Sequence, residues 1–204
     1  MQLKNLSRST LLVAIFVGLI IFLFLIFYFI PESPIQNSLA LLSEKINIPL
    51  IESSASPAGQ PMRLKIPSIN VDATVEYVGL AFDGSMDIPK NSDNVAWFKF
   101  GPRPGEIGSA VMAGHFDRAN GAPAVFNSLS KLREGDRLYV EDEKGIVTVF
   151  VARESRNYDS NANTSGIFGS NDSQAHLNLI TCEGVWNKTA KSYSRRLVVF
   201  ADKE

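Results

Sequence analysis

The sequence predicts a mostly-β protein: a closed, eight-stranded barrel with one or two short helices, preceded by a single N-terminal transmembrane helix. Three observations predict it. Residues 11–30 form an unbroken apolar run, LLVAIFVGLIIFLFLIFYFI. Residues 62–204 contain a series of short strand patterns separated by turn residues, and they include a clear period-two alternation. A single stretch in that region has helical spacing instead. A barrel is the closure that leaves no strand edge unpaired.

In chain order, residues 1–10 carry Lys4 and Arg8 and read as a cytoplasmic N-terminus. In the run 11–30 every residue but Gly18 is hydrophobic and none is charged. Twenty helical residues span roughly 30 Å, the thickness of the hydrocarbon core. A cleaved signal would have a shorter apolar region of about 7–15 residues ending at a small-residue cleavage site. The basic flank keeps the N-terminus inside and sends the rest of the chain outside. Residues 31–61 hold Pro31, Pro34, Pro49, Pro57 and Pro61 and end in ESSASPAGQP, the composition of a linker. Leu39, Leu41, Leu42 and Ile46 have the spacing of a short juxtamembrane helix.

The domain proper is assigned to residues 62–204. Val71, Ala73, Val75 and Tyr77 alternate with Asp72, Thr74 and Glu76. Further strands are expected over 62–66, 96–100, 109–114, 137–141, 146–152, 176–182 and 197–201. Glu143-Lys144-Gly145 is the turn of a hairpin. Pro123 opens the exceptional stretch, where Val125, Phe126, Leu129 and Leu132 line one helical face. The spans 154–173 and 183–194 are rich in Asn, Ser, Thr and Gly and read as loops.

Composition removes several function classes. A formal net charge of −1 gives no basic stripe for nucleic acid. One cysteine excludes an intrachain disulfide framework, and with two histidines it does not fill a metal shell. No metal or organic cofactor is expected. The lone Cys182 is a free thiol in an oxidising compartment: either a small buried hydrophobe or a nucleophile whose pKa neighbouring cations lower.

A nucleophile needs an acid–base partner. His176 precedes Cys182 by six residues on one strand pattern, which puts the two roughly 20 Å apart; it reads as a strand-start or groove-rim residue. His115 remains, at the end of the apolar strand 109–114 and directly after Gly114. Charge on a substrate oxygen needs a donor. Arg195 and Arg196 both enter the last strand, and an antiparallel return over a 12-residue loop brings them to the edge where Cys182 ends.

Ala113-Gly114-His115, Leu179-Ile180-Thr181-Cys182, and Arg196 followed by Leu197-Val198-Val199-Phe200-Ala201 together resemble the three motifs of the sortases, membrane-anchored cysteine transpeptidases. The resemblance runs from Arg63 to the C-terminus. Gly101-Pro102-Arg103-Pro104-Gly105 and Ala122-Pro123-Ala124-Val125-Phe126, followed by Gly135-Asp136, look closest to the class F and class E branches. One departure is Asn178, where the family signature begins with Thr.

The resemblance implies a sortase-like barrel with Cys182, His115 and Arg196 as catalytic residues; it selects Arg196 over Arg195. Thr181, Asn178, Ile180, Trp186 and Phe168 are the implied substrate contacts, with Ile167 beside them. Asp117 reads as a surface turn residue in preference to a carboxylate that orients His115. No acidic cluster is assigned to calcium. The implied reaction cleaves an LPxTG-type motif between Thr and Gly through a thioester on Cys182 and passes the acyl group to an amine. The implied partners are secreted proteins with a C-terminal sorting motif and an amine acceptor, a lipid-linked cell-wall precursor or a pilin lysine. Location would be the cell membrane, with the catalytic domain outside. The rival readings are an extracytoplasmic cysteine hydrolase or amidase, disfavoured because His precedes Cys in the chain, and an inactive anchored binding barrel.

Overall fold

The computed structural model describes residue 22 and residues 58–160 and 162–204. The transmembrane and juxtamembrane expectations for residues 11–30 and 31–57 lie outside these, Phe22 apart. Among the described residues no helix is long and apolar enough to cross a membrane.

Eight strands close into a barrel: β1 (Pro61–Ile66), β2 (Val71–Val78), β3 (Val95–Phe98), β4 (Gly108–Gly114), β5 (Arg137–Asp142), β6 (Val147–Asp159), β7 (Ala175–Asn187) and β8 (Ser192–Lys203). The order around the barrel is β1-β2-β3-β4-β7-β8-β6-β5, and β5 closes onto β1. Two neighbouring pairs are parallel, β2 with β3 and β4 with β7; the rest are antiparallel. Residues 58–60, assigned to the linker from sequence, run along the barrel. The Gly59 amide donates to Asp142 Oδ2 and Arg103 donates to the Ala58 carbonyl, both at 3.0 Å.

Side-chain alternation builds the interior. Val71, Ala73 and Val75 of β2 point inward while Asp72 and Thr74 face water. Leu64, Ile66, Met112, Leu138, Phe150, Leu177 and Leu179 complete a core with Phe126 and Leu129 from outside the strands. Strands β4, β7 and β8 are apolar on both faces. Their outward residues Val111, Ile180, Val198 and Phe200 make a second cluster with Met86, Phe98, Tyr158, Ile167 and Phe168. Continuous apolar runs are what strands covered on both sides require.

The helix expected after Pro123 is replaced by turns and a single 3-10 helix, Leu129–Lys131. Phe126, Leu129 and Leu132 are buried as a helical face would demand. The backbone bonds, however, run from i to i−3: Leu129 to Phe126, Lys131 to Ser128, Leu132 to Leu129. The Ala124 and Phe126 amides are drawn to the Phe116 and His115 carbonyls instead. The two expected loops are also shorter than the sequence suggested. β6 continues to Asp159, and β7 and β8 continue to Asn187 and from Ser192. Other 3-10 helices cover Pro67–Ile69 and Ser165–Ile167.

Candidate active site

Cys182 lies within β7, half-buried, and the strand does not end there. In β8 its direct register partner is Arg196. On its other side, β4 pairs Met112 with Leu179 and Ala113 with Ile180 in parallel. That pairing ends at Ala113 with Ile180; His115 follows β4 directly, and two further residues of the same register would set it opposite Cys182. Alternation settles the face. Met112, Leu179, Leu197 and Val199 point into the core. Val111, Ile180 and Val198 point outward. Cys182, His115 and Arg196 share the parity of the outward set. Arg195 pairs with Glu183 on the opposite parity.

Two local devices fix this arrangement. The Thr181 hydroxyl, 3 % exposed, donates to the Gly114 carbonyl at 2.8 Å and ties the end of β4 to β7 just before His115. A side chain at Gly114 would meet Phe126 at 2.4 Å, so the close approach requires glycine. After Cys182 the β7–β8 register shifts between Glu183 and Trp186. Gly184 adopts φ 88° there, and the Val185 amide donates to Ser194 Oγ at 3.0 Å. Such a bulge increases the local twist of the hairpin just beyond the thiol.

The His115 Nε2 lies 2.9 Å from the Pro89 carbonyl. A carbonyl only accepts, so Nε2 carries a proton and Nδ1 is the ring atom left for proton exchange. Arg196 Nη1 donates to the Tyr193 and Arg195 carbonyls at 3.0 and 2.9 Å. Among the described residues no hydrogen bond engages its Nε or Nη2. Asp117 accepts a 2.6 Å bond from the Tyr193 phenol and makes no bond to His115. That bond, with burial and the neighbouring charges, pushes the Tyr193 phenol up to about 12.

The thiol does not follow the expectation that adjacent cations lower it. Burial pushes Cys182 above its ordinary value; Arg196 pulls it down, Asp117 pushes it up, and the net displacement is upward. The resting group is therefore a thiol, with the thiolate a minor form at neutral pH.

The expected substrate contacts separate into three groups. Ile180 and Phe168 belong to the outward apolar cluster, with Ile167 2 % exposed among them. Phe168 meets Phe98 edge-on at 5.4 Å. Trp186 is exposed beyond the bulge, its ring 5.1 Å from Tyr193. Thr181 and Asn178 are buried; Thr181 is engaged by the Gly114 carbonyl, whereas the Asn178 Oδ1 has no hydrogen-bond partner among the described residues. Asn178 Nδ2 donates to the Ile167 carbonyl at 2.6 Å, pinning the β6–β7 connection onto β7. Tyr193, Pro89 and Met86 were not singled out from sequence. Tyr193 had one available signal, an aromatic three residues before Arg196.

Replacing Thr181 with valine keeps the shape and leaves the Gly114 carbonyl unpaired. We expect a loss of about 1–3 kcal/mol in denaturant unfolding.

His176 sits near the start of β7, 7 % exposed, as the strand spacing anticipated. Its Nδ1 bonds Asp202 at 2.7 Å and its Nε2 bonds Asp172 at 2.9 Å. Burial alone lowers its pKa, but the two carboxylates outweigh burial and the net direction is up. Asp172 is held well below the carboxylate range by Ser170 and His176. A raised histidine stabilises fully below its unfolded value of about 6.5, and the contribution fades as pH climbs through the folded value. A depressed aspartate stabilises above about 3.9, and its contribution is lost as pH falls through the folded value. His176→Ala should thus retain most catalytic activity and lower Tm more at pH 5.5 than at pH 9, read by thermal denaturation.

These features define a β-barrel in which a thiol and a guanidinium face each other across β7 and β8, and an imidazole follows the end of the neighbouring β4. Comparison with known proteins agrees with that class. Residues 64–204 match the sortase domain family model. No curated protein matches by search. Among solved structures, sortase C-1 from Actinomyces oris is 21 % identical with TM-score 0.56, covering 70 % of this chain and 72 % of that one. Streptococcus agalactiae sortase C1 is 22 % identical with TM-score 0.56, covering 71 % and 69 %. Listeria monocytogenes sortase A is 18 % identical with TM-score 0.53, covering 72 % and 88 %. The chain belongs to the sortase family, whose members are cysteine transpeptidases.

Proposed function

We propose that this chain cleaves an LPxTG-type sorting motif between Thr and Gly and transfers the acyl part to an amine, with Cys182, His115 and Arg196 as the reacting set. The observation that carries the reading is the direct register of Cys182 with Arg196, beside a β4–β7 pairing that runs toward His115. The Cys182 thiolate attacks the Thr carbonyl carbon. The free guanidinium nitrogens of Arg196 take the developing oxyanion. The C–N bond breaks as protonated His115 gives a proton to the leaving glycine amine. The product is a thioester. An incoming amine attacks it, neutral His115 accepts that amine's proton, and Cys182 leaves as thiolate.

The acyl acceptor is a lipid-linked cell-wall precursor or a pilin lysine, and the acyl donors are secreted proteins that bear the motif. The apolar run 11–30 holds the enzyme in the cell membrane with the barrel outside, beside partners that are themselves membrane-bound. Confinement of this kind raises effective concentration. The test is to incubate the full chain with a quenched LPxTG peptide and triglycine, beside Cys182→Ala. A transferred product that disappears in the variant supports the reading. Equal signal from both defeats it, and turnover insensitive to any amine favours a cysteine hydrolase.

A further inference from the structure

Tyr193 stands where the segments carrying Cys182, His115 and Arg196 meet. It lies in β8 three residues before Arg196, and its carbonyl accepts the Arg196 Nη1 bond at 3.0 Å. Its phenol donates at 2.6 Å to Asp117, two residues after His115. Its ring meets Phe116, the residue after His115, edge-on at 5.6 Å. Its other ring neighbour is Trp186 of β7, its register partner across the hairpin, at 5.1 Å. A single side chain therefore grips both residues that follow His115 and reaches the strand that carries Cys182.

We propose that Tyr193 is a positioning residue of this site: its phenol clasps Asp117 to the β7–β8 hairpin, holding the His115 segment against the Cys182 strand and partly neutralising the carboxylate that faces the sulfur. The effect on transfer rests on the acyl-transfer reading above; the effect on the thiol does not. The groups that act on Cys182 are Arg196 and Tyr193 from β8 and Asp117 from the segment after β4, with His115 directly after the end of β4. Glu183, next on its own strand, pairs in register with Arg195 on the opposite parity. A donor on a carboxylate draws charge away from the oxygen. With the phenol removed, Asp117 presents its full negative charge to the sulfur and opposes the thiolate more strongly.

Tyr193→Phe removes the hydroxyl and keeps both ring contacts. In the full chain Cys182 is the single cysteine, so iodoacetamide alkylation against pH reads its thiolate alone. The expected result is an alkylation profile displaced to higher pH in Tyr193→Phe, and no displacement when Tyr193→Phe is added to Asp117→Asn. Transfer should fall roughly tenfold, the scale of one charge-assisted hydrogen bond, with Tm close to wild type. A wild-type profile in Tyr193→Phe, or a displacement to lower pH, overturns the proposal, as does a displacement of the same size in the Asp117→Asn background. If the alkylation results hold while the wild-type chain transfers no peptide to any amine, the clasp stands and the acyl-transfer reading fails.

Discussion

Cys182→Ala should abolish acyl transfer while leaving the barrel folded. The sulfur is the one atom in the proposed reaction that forms and breaks a covalent bond to substrate. Loss of a nucleophile of this kind costs roughly 10⁴-fold or more in rate. Cys182 is half-buried on the outer face and belongs to neither apolar cluster, so alanine leaves no cavity in the core. Thr181 and Gly184 keep their bond and bulge on either side. Peptide cleavage measured beside thermal unfolding checks both halves: a null rate with an unchanged Tm.

Arg196→Lys should lower transfer roughly 10²-fold, the cost of losing one oxyanion donor. The guanidinium performs two tasks at once. Nη1 is anchored by the Tyr193 and Arg195 carbonyls, which leaves Nε and Nη2 as the donors for a substrate oxygen. A lysine ammonium is a point donor on a flexible stem and either caps the carbonyls or faces the substrate. The variant should bind peptide with KM little changed and lose kcat, because the oxyanion exists only in the transition state. Steady-state kinetics separate this from loss of binding, which would raise KM alone.

Much of the barrel was legible in the sequence because period two is visible wherever one face meets water, as in Val71 to Val75; the expected alternation fails at Tyr77, which is exposed while Val78 is buried. The apolar runs 109–114 and 197–201 were equally legible as strands covered on both sides. The ends of β6, β7 and β8 were not. Their outer parts, such as RESRNYD over 153–159 and SYSRR over 192–196, lack an apolar pattern, and what makes them strands is pairing between distant segments, such as Tyr158 with Arg196. The stretch after Pro123 misled for a related reason. Its buried residues obey helical spacing, but amides there bond to Phe116 and His115, a demand no local pattern announces.

At the candidate site, Cys182, His115 and Arg196 were singled out through rarity, position beside strands and motif. The expected 12-residue loop between Cys182 and the arginines is in fact a hairpin, with Cys182 directly opposite Arg196. Burial and Asp117, neither readable from spacing, turn the thiol's displacement upward. Tyr193 and Asp117 escaped notice as a pair because 76 residues separate them.

The central claim is that the register of β4, β7 and β8 makes Cys182 the acceptor of the acyl group, with His115 and Arg196 serving it. Intact-mass and peptide mapping of the full chain, quenched in acid during turnover of an LPxTG peptide without added amine, addresses it directly. The account predicts one adduct, the acyl half of the peptide on Cys182, removed by hydroxylamine and formed at least tenfold more slowly in His115→Ala and Arg196→Lys. Cleaved peptide with Cys182 unmodified, or an adduct on another residue, would contradict it.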